Sequence, residues 1–311
     1  MTVVSLSSGL YCQEEAVVAA LAKATGRPIV TDSALIQAAA DLSGLEPDRI
    51  SQVFAARTPF LARCSHAKEQ GLAWLRLALA TRLVEDENLL LTGWCAVLVP
   101  RRITHVLAVC LIADAASRLH VATQAGLPAA EARPALERND TDHVAWTRLV
   151  TGQADPWDPA LYDLLVPMDK TAPEAAAALI LGHQNDPAVR PTEASRAAAR
   201  DFLLGARVET VLAGHGHGVA VAARNGRVTL TINRRVLFLE RLEKQLRAVA
   251  MRIEGVQDVM TKVGRGFYQS DIYRQADFER TAHCLPTIET REFIQAQSER
   301  LERREDSRQP A

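Results

Sequence analysis

Residues 3–24 read VVSLSSGLYCQEEAVVAALAKA, and three kinds of local signal follow one another along them. Val3-Val4-Ser5-Leu6 is short and β-prone, and Ser7-Ser8-Gly9 is a turn signal. Glu14 to Ala24 then places Val17, Val18, Leu21 and Ala24 at helical spacing, and Gly26 and Pro28 end the helix. A strand that feeds a helix through a glycine-containing loop is a βα unit.

The pattern repeats outward. Ile29-Val30 reads as a second strand, Asp32 or Ser33 can cap a helix from Ala34 to Leu42, and Gly44 closes it. A long helix from about Ala67 to Val84 leads into the apolar run Asn88 to Gly93, which ends in glycine as a buried parallel strand does. Thr104 to Ala113 is another buried strand and stops at Asp114. Helices are expected around Ser117 to Ala125 and Ala129 to Glu137, then a polar stretch with Trp146, a Pro/Asp-rich loop, and a last strand from Tyr162 to Val166. Strands alternating with helices predict an α/β fold, a parallel sheet covered on both faces in three layers.

Gly182 to Thr192 is polar and contains proline, and the pattern changes after it. A helix from Glu193 to Leu212 precedes Val219 to Ala223, the turn Arg224-Asn225-Gly226-Arg227, and Val228 to Ile232. Asn-Gly between two such runs predicts a hairpin, because both residues tolerate positive φ. A helix from Leu239 to Ile253, Gly255 and a strand from Val256 to Val263 complete a small α+β unit. The expected organisation is therefore domain 1–182, linker 183–192, α+β domain 193–266, and a charge-dense extension 267–311 whose Arg291 to Arg308 stretch has little core to bury.

At 311 residues two domains are the natural expectation. Hydrophobic residues make up 48% and charged residues 23%, as in an ordinary globular protein. A net charge of −1 offers no electrostatic reason to expect nucleic acid or an anionic membrane as partner. The start of the chain lacks the basic and apolar regions of a signal peptide, and no run approaches the roughly 18 apolar residues of a membrane span. A cytoplasmic protein is expected. Cys12, Cys64, Cys95, Cys110 and Cys284 are odd in number and form no C-x-x-C pair, which suits buried thiols in a reducing compartment.

A working phosphate-binding loop reads G-x-x-x-x-G-K-[ST]: backbone N–H groups wrap the phosphates, the lysine neutralises charge and the hydroxyl ligates magnesium. Here the corresponding run is Ser8, Gly9, Leu10, Tyr11, Cys12, Gln13, Glu14, Glu15 and Ala16. Glu14 stands in place of the second glycine, Glu15 in place of lysine and Ala16 in place of the hydroxyl. Two carboxylates suit the positive end of a helix dipole but repel a triphosphate. Like charges about 4 Å apart cost on the order of 4 kcal/mol at an effective dielectric of about 20, enough to cancel much of a nucleotide's affinity.

Glu14 to Ala22, Thr31 to Ile36, the run Ile103 to Asp114, Arg118 and Asp155-Pro156-Trp157-Asp158-Pro159-Ala160-Leu161-Tyr162-Asp163-Leu164 together resemble the bacterial cytidylate kinase-like family, in order from Val3 to about Leu181. The resemblance implies a P-loop nucleoside-monophosphate kinase fold with ATP as donor, Mg2+, and a nucleoside monophosphate as acceptor. By position it implies a phosphate loop at Ser8 to Ala16, an acceptor site near Asp32 and Gly93, and basic groups at Arg118 and Arg138. Asp140, Arg148, Asp155 and Asp158 would belong to the lid region. Where basic residues would be expected, the chain has Gln13, Ala108, Cys110, His143, Val144 and Ala145. Positioned positive charge is most of what catalyses phosphoryl transfer, so these departures bear on activity. The second unit resembles a BON-type module through its hairpin, helix and Ile253-x-Gly255-Val256-x-x-Val259, with ligand binding, docking or dimerisation as its expected roles.

Other residues admit two readings each. Asp114, at the C-terminal end of a strand, is placed to hold magnesium or orient Arg118, and equally to cap the next helix. His215 and His217 lack a third ligand nearby, so a loop explains them better than a metal site. His105 reads as a core histidine with one hydrogen bond, and Trp146 and Trp157 as packing residues or as a stacking surface for a base. Asp155, Asp158 and Asp163 could gather a cation or stiffen a loop. Three functions stay open: a nucleotide-binding or regulatory pseudokinase, an active kinase that recruits Arg118, Arg138, Arg148 or a partner chain, and a scaffold for self-association or a protein partner.

Overall fold

The computed structural model describes residues 2–56 and 67–268. Cys64, Cys284 and the stretch from Arg291 to Arg308 lie outside them, as does all but the start of the expected extension.

Strand β1 (Val3–Ser8) is buried along its whole length. It is central to a parallel sheet of order β2-β3-β1-β4-β5, with β2 at Ile29–Thr31, β3 at Leu90–Thr92, β4 at Val106–Ile112 and β5 at Leu164–Pro167. Val4 sits beside Leu90 on one side and Leu107 on the other, so β1 has no solvent-facing edge. Alternation along the strand feeds two cores. Val4 and Leu6 face the layer containing α1 (Glu14–Thr25) and α7 (Pro173–His183). Val3 faces a layer of α2 (Asp32–Ser43), α3 (Pro47–Ser51), α4 (Ala67–Glu85) and α8 (Glu193–Gly214). This is an α/β fold, a parallel sheet between two helical layers. No helix among the described residues is long and apolar enough to cross a membrane.

Two local expectations change. Helix α5 (Ala115–Gln124) is followed by α6, which runs unbroken from Ala129 to Thr151, past the expected end at Glu137 and through the polar stretch with Trp146. Pro134 removes only one i→i−4 bond near the start, while buried Ala132, Leu136, His143 and Trp146 keep one face anchored. Asp32 and Ser33 do not cap α2: Thr31 does, its hydroxyl accepting from the Ala34 N–H at 3.2 Å, which releases Asp32 for another contact.

The small α+β unit forms as a hairpin, β6 (Ala220–Arg224) against β7 (Arg227–Ile232), with Asn225 and Gly226 at φ 49° and 77°. Helix α9 (Leu239–Ala250) then returns the chain so that β8 (Asp258–Val263) lies parallel to β7. The described residues up to Tyr268 pack as one compact unit. The reason is α8. Its Ala198, Ala199, Phe202 and Ala206 enter the core beside the large sheet, while Val208 and Leu212 enter the core of the small one. His105, buried where β4 begins, meets the Ser195 hydroxyl of α8 at 2.7 Å through Nδ1, and its Nε2 has no partner among the described residues, as in a core histidine with one side-chain hydrogen bond.

Candidate functional site

The loop after β1 is a tight turn. Gly9 N–H donates to Leu111 O across the sheet, and Cys12 N–H donates back to Gly9 O at 3.2 Å. Tyr11 and Gln13 take left-handed backbone conformations, φ 63° and 58°, that favour glycine and cost side-chain-bearing residues on the order of 1 kcal/mol each. The Cys12 side chain is tucked into the turn, and burial pushes its thiol up to about 11, against the influence of Arg118, so it is not an activated nucleophile.

Glu14 is not a passive surface charge. Its carboxylate turns inward and accepts from the Ser8 hydroxyl at the end of β1 and from the Thr92 hydroxyl at the end of β3. It therefore ties two strand ends together where a glycine would have left open space. Glu15 and Ala16 are exposed on the first turn of α1.

Arg118, on α5, is the cation brought to this loop. It is only 4% exposed; its Nε donates to Leu10 O at 2.8 Å, and its two terminal nitrogens form a fork onto Asp140 of α6 at 3.0 and 2.7 Å. The guanidinium thus holds loop and helix together with its charge already balanced. Arg138 lies on the exposed face of α6 and Arg148 is half-buried near its end. Asp114 caps α5, its Oδ1 accepting from Ser117 N–H at 2.6 Å.

Asp32 and Gly93 are brought together. The Asp32 carboxylate accepts from Trp94 N–H and Cys95 N–H, each at 2.8 Å, and pins the turn after β3. Burial raises its pKa and these two N–H groups oppose the rise. Gly93, at φ 108°, has no room for a Cβ, which would collide with that carboxylate.

An aromatic ladder fills the space between this turn and the loop. Phe54 packs on Trp146 at 4.6 Å, Trp94 stacks on His143 at 4.7 Å with planes 9° apart, and His143 meets Trp157 edge-on at 4.8 Å. Trp157 then reaches Gly9, where an added Cβ would lie 3.2 Å from its ring. Trp146, fully buried, donates its indole N–H to Trp94 O at 2.8 Å and is a packing residue, whereas Trp157 is half-buried. Among the described residues neither ring nitrogen of His143 has a partner, and burial, helped by Arg118, lowers its pKa to about 3. It stays neutral. Asn139 Oδ1 and Thr147 Oγ1, one turn before and after it, are likewise buried without partners. Sequence reading saw His143 only as a missing base, and nothing local points to its stacking partners 49 and 14 residues away.

The other candidate aspartates are engaged in hydrogen bonds of their own. Asp155 Oδ1 accepts from Trp157 N–H, Asp158 Oδ1 from Ala160 N–H, and Asp163 pairs with Arg101 while accepting from Ala108 N–H. His215 and His217 contribute backbone N–H groups that cap the end of α8. Among the described residues no group of three or more His, Cys, Asp or Glu is gathered closely enough to hold a metal ion. The phosphate loop does not fit a magnesium triphosphate either: it has no lysine, no hydroxyl at position 16, and a carboxylate in the space behind its turn.

The order of strands, the turn after β1 and the Asp155–Leu164 block coincide with a match to the Cytidylate kinase-like family model over residues 3–170. The chain belongs to this family. Solved structures similar to this cytidylate kinase-like protein include an uncharacterized protein from Eubacterium ventriosum ATCC 27560, at 10% identity and TM-score 0.47, covering 60% of this chain and 99% of that one. A shikimate kinase from Acinetobacter baumannii in complex with shikimate matches at 17% identity and TM-score 0.35, over 60% and 96% of the two chains. TT1252 from Thermus thermophilus matches at 15% identity and TM-score 0.34, over 60% and 98%. No curated protein matches the chain.

Proposed function

We propose that this nucleotide-kinase-like protein works as a regulatory or ligand-binding pseudokinase rather than as a phosphotransferase. The observation that carries the reading is Glu14, whose carboxylate is held by Ser8 and Thr92 inside the phosphate loop. A triphosphate approaching that turn meets negative charge where a working phosphate loop supplies positive charge and magnesium. The nearest cation, Arg118, is already matched by Asp140. The C-terminal unit is read as a BON-type docking module, supported by its hairpin, helix and third strand.

Calorimetric titration of the full chain with ATP, CTP and CMP, with and without Mg2+, tests this together with a diphosphate-formation assay over a panel of nucleoside monophosphates. No turnover is expected, and triphosphate binding should not tighten with Mg2+. The triple variant Glu14→Gly, Glu15→Lys, Ala16→Ser should tighten ATP binding at least tenfold, which is about 1.4 kcal/mol. Diphosphate formation at ordinary kinase rates, on the order of 1–100 per second, that is lost in Arg118→Ala would overturn the proposal in favour of an active kinase.

A further inference from the structure

We infer that a second ligand site, built for an amphipathic monoanion, lies in the cavity between the face of the large sheet, α8 and β6. The cavity measures about 630 Å³, within the range of small-molecule sites. None of residues 8–16, Arg118 or Asp140 lines it, so it is separate from the phosphate loop.

Its volume comes from side chains that stop short. Ala96, Ala108, Gly205, Ala206, Ala220 and Ala222 border it from four segments of the chain. Gly205 is the informative one. Glycine inside a helix costs about 0.5–1 kcal/mol relative to alanine. Close packing does not require it here, because a Cβ at 205 would sit 3.7 and 3.8 Å from Ala223, at ordinary contact distance. What glycine preserves is room.

The walls define the ligand. Val97, Val99, Ile103, Val150, Leu161 and Phe202 make them mostly apolar. Two of the arginines around them are matched, Arg76 by Glu209 and Arg101 by Asp163, while the Asp201 carboxylate keeps its charge and accepts from Asn225 N–H at the hairpin turn. Arg102 differs. It is exposed at the rim, gives Nη1 to Ala223 O at 2.8 Å, and has no carboxylate within ion-pair distance among the described residues. A guanidinium without a carboxylate partner beside an apolar chamber suits an apolar body carrying one carboxylate or sulfonate. It does not suit a nucleotide triphosphate, whose several charges would exceed one cation.

The test is a fluorescence titration of the full chain with 1-anilinonaphthalene-8-sulfonate, followed by displacement with decanoate and with decanol. Saturable binding to one site is expected, with decanoate displacing the probe at least tenfold better than decanol. Arg102→Gln should weaken decanoate about tenfold, as loss of a charge-assisted contact does. Ala222→Phe, on the exposed side of β6, should abolish saturable binding while circular dichroism and Tm stay unchanged; Gly205→Val, placed on α8, gives an independent block if the first variant folds poorly. Absence of saturable binding overturns the inference, as does equal displacement by decanol or unchanged binding in both blocked variants.

Discussion

Strand β1 borders two sites, and they have been treated in opposite ways. At Ser8 it ends in the phosphate loop, where Glu14, Cys12, Arg118 and Trp157 crowd the turn. Three residues earlier, Ser5 faces a chamber of about 630 Å³ lined largely by alanine, glycine and valine. Open α/β sheets place their ligands beyond the C-terminal ends of the strands, so the first site is where the fold predicts function. Side chains fill it. The second site follows from no general rule of the fold, and side chains have been kept out of it. Architecture says where a site can be, whereas side-chain volume and charge decide whether one is there.

Substitutions at the filled site should be costly. Gly93→Ala forces a left-handed residue against the Asp32 carboxylate and breaks its two N–H bonds at the turn. Backbone strain of about 1–3 kcal/mol plus a carboxylate left without donors predicts a loss of at least about 3 kcal/mol in urea unfolding. Unchanged stability would mean that the aromatic ladder, and not the Asp32 pin, holds the turn.

His143→Phe probes the same packing through pH. The folded-state pKa near 3 lies below the unfolded value of about 6.5, so the unfolded chain takes up a proton that the folded chain refuses. This cost is absent above about pH 6.5 and grows as pH falls toward 3, reaching about 2 kcal/mol at pH 5. The phenylalanine variant should lose that part of the acid sensitivity while keeping the stack on Trp94. Stability curves of the two proteins at pH 7.5 and pH 5 check it; parallel curves would show that His143 is hydrated or paired.

The open site predicts the reverse sign with the smallest effect. Gly205→Ala adds a Cβ at ordinary contact distance and should stabilise the protein by about 0.4–1 kcal/mol, read from its Tm. The same change narrows the chamber, so anilinonaphthalene sulfonate should bind less tightly to the more stable protein. A gain in stability with no change in binding would place Gly205 outside the ligand's reach.

Much of this was legible in the residues. The βα unit at Val3–Ala24 and the Asn225-Gly226 turn form as expected because each depends on neighbours a few residues apart. The missing glycine, lysine and hydroxyl at 14, 15 and 16 were equally plain. What was not legible depends on distant partners. Glu14 read as a helix-end charge, yet one of its two hydroxyl partners is 78 residues away. Asp32 read as a cap, and Thr31 took that role while Asp32 turned to a backbone more than sixty residues on. Helix α6 ran on past Glu137, where the expected helix ended, because His143 and Trp146 found buried partners.

The sequence by itself determined the order of the strands and of most helices, and the chemistry absent from the phosphate loop, since periodicity and residue type are local properties. Tertiary structure alone decided that Glu14 became a strut, that Arg118 arrived with its charge balanced by Asp140, and that small residues from four segments left a chamber beside Arg102. Those outcomes depend on which side chains the sheet brings within a few ångströms of one another, and separation along the chain does not encode that distance.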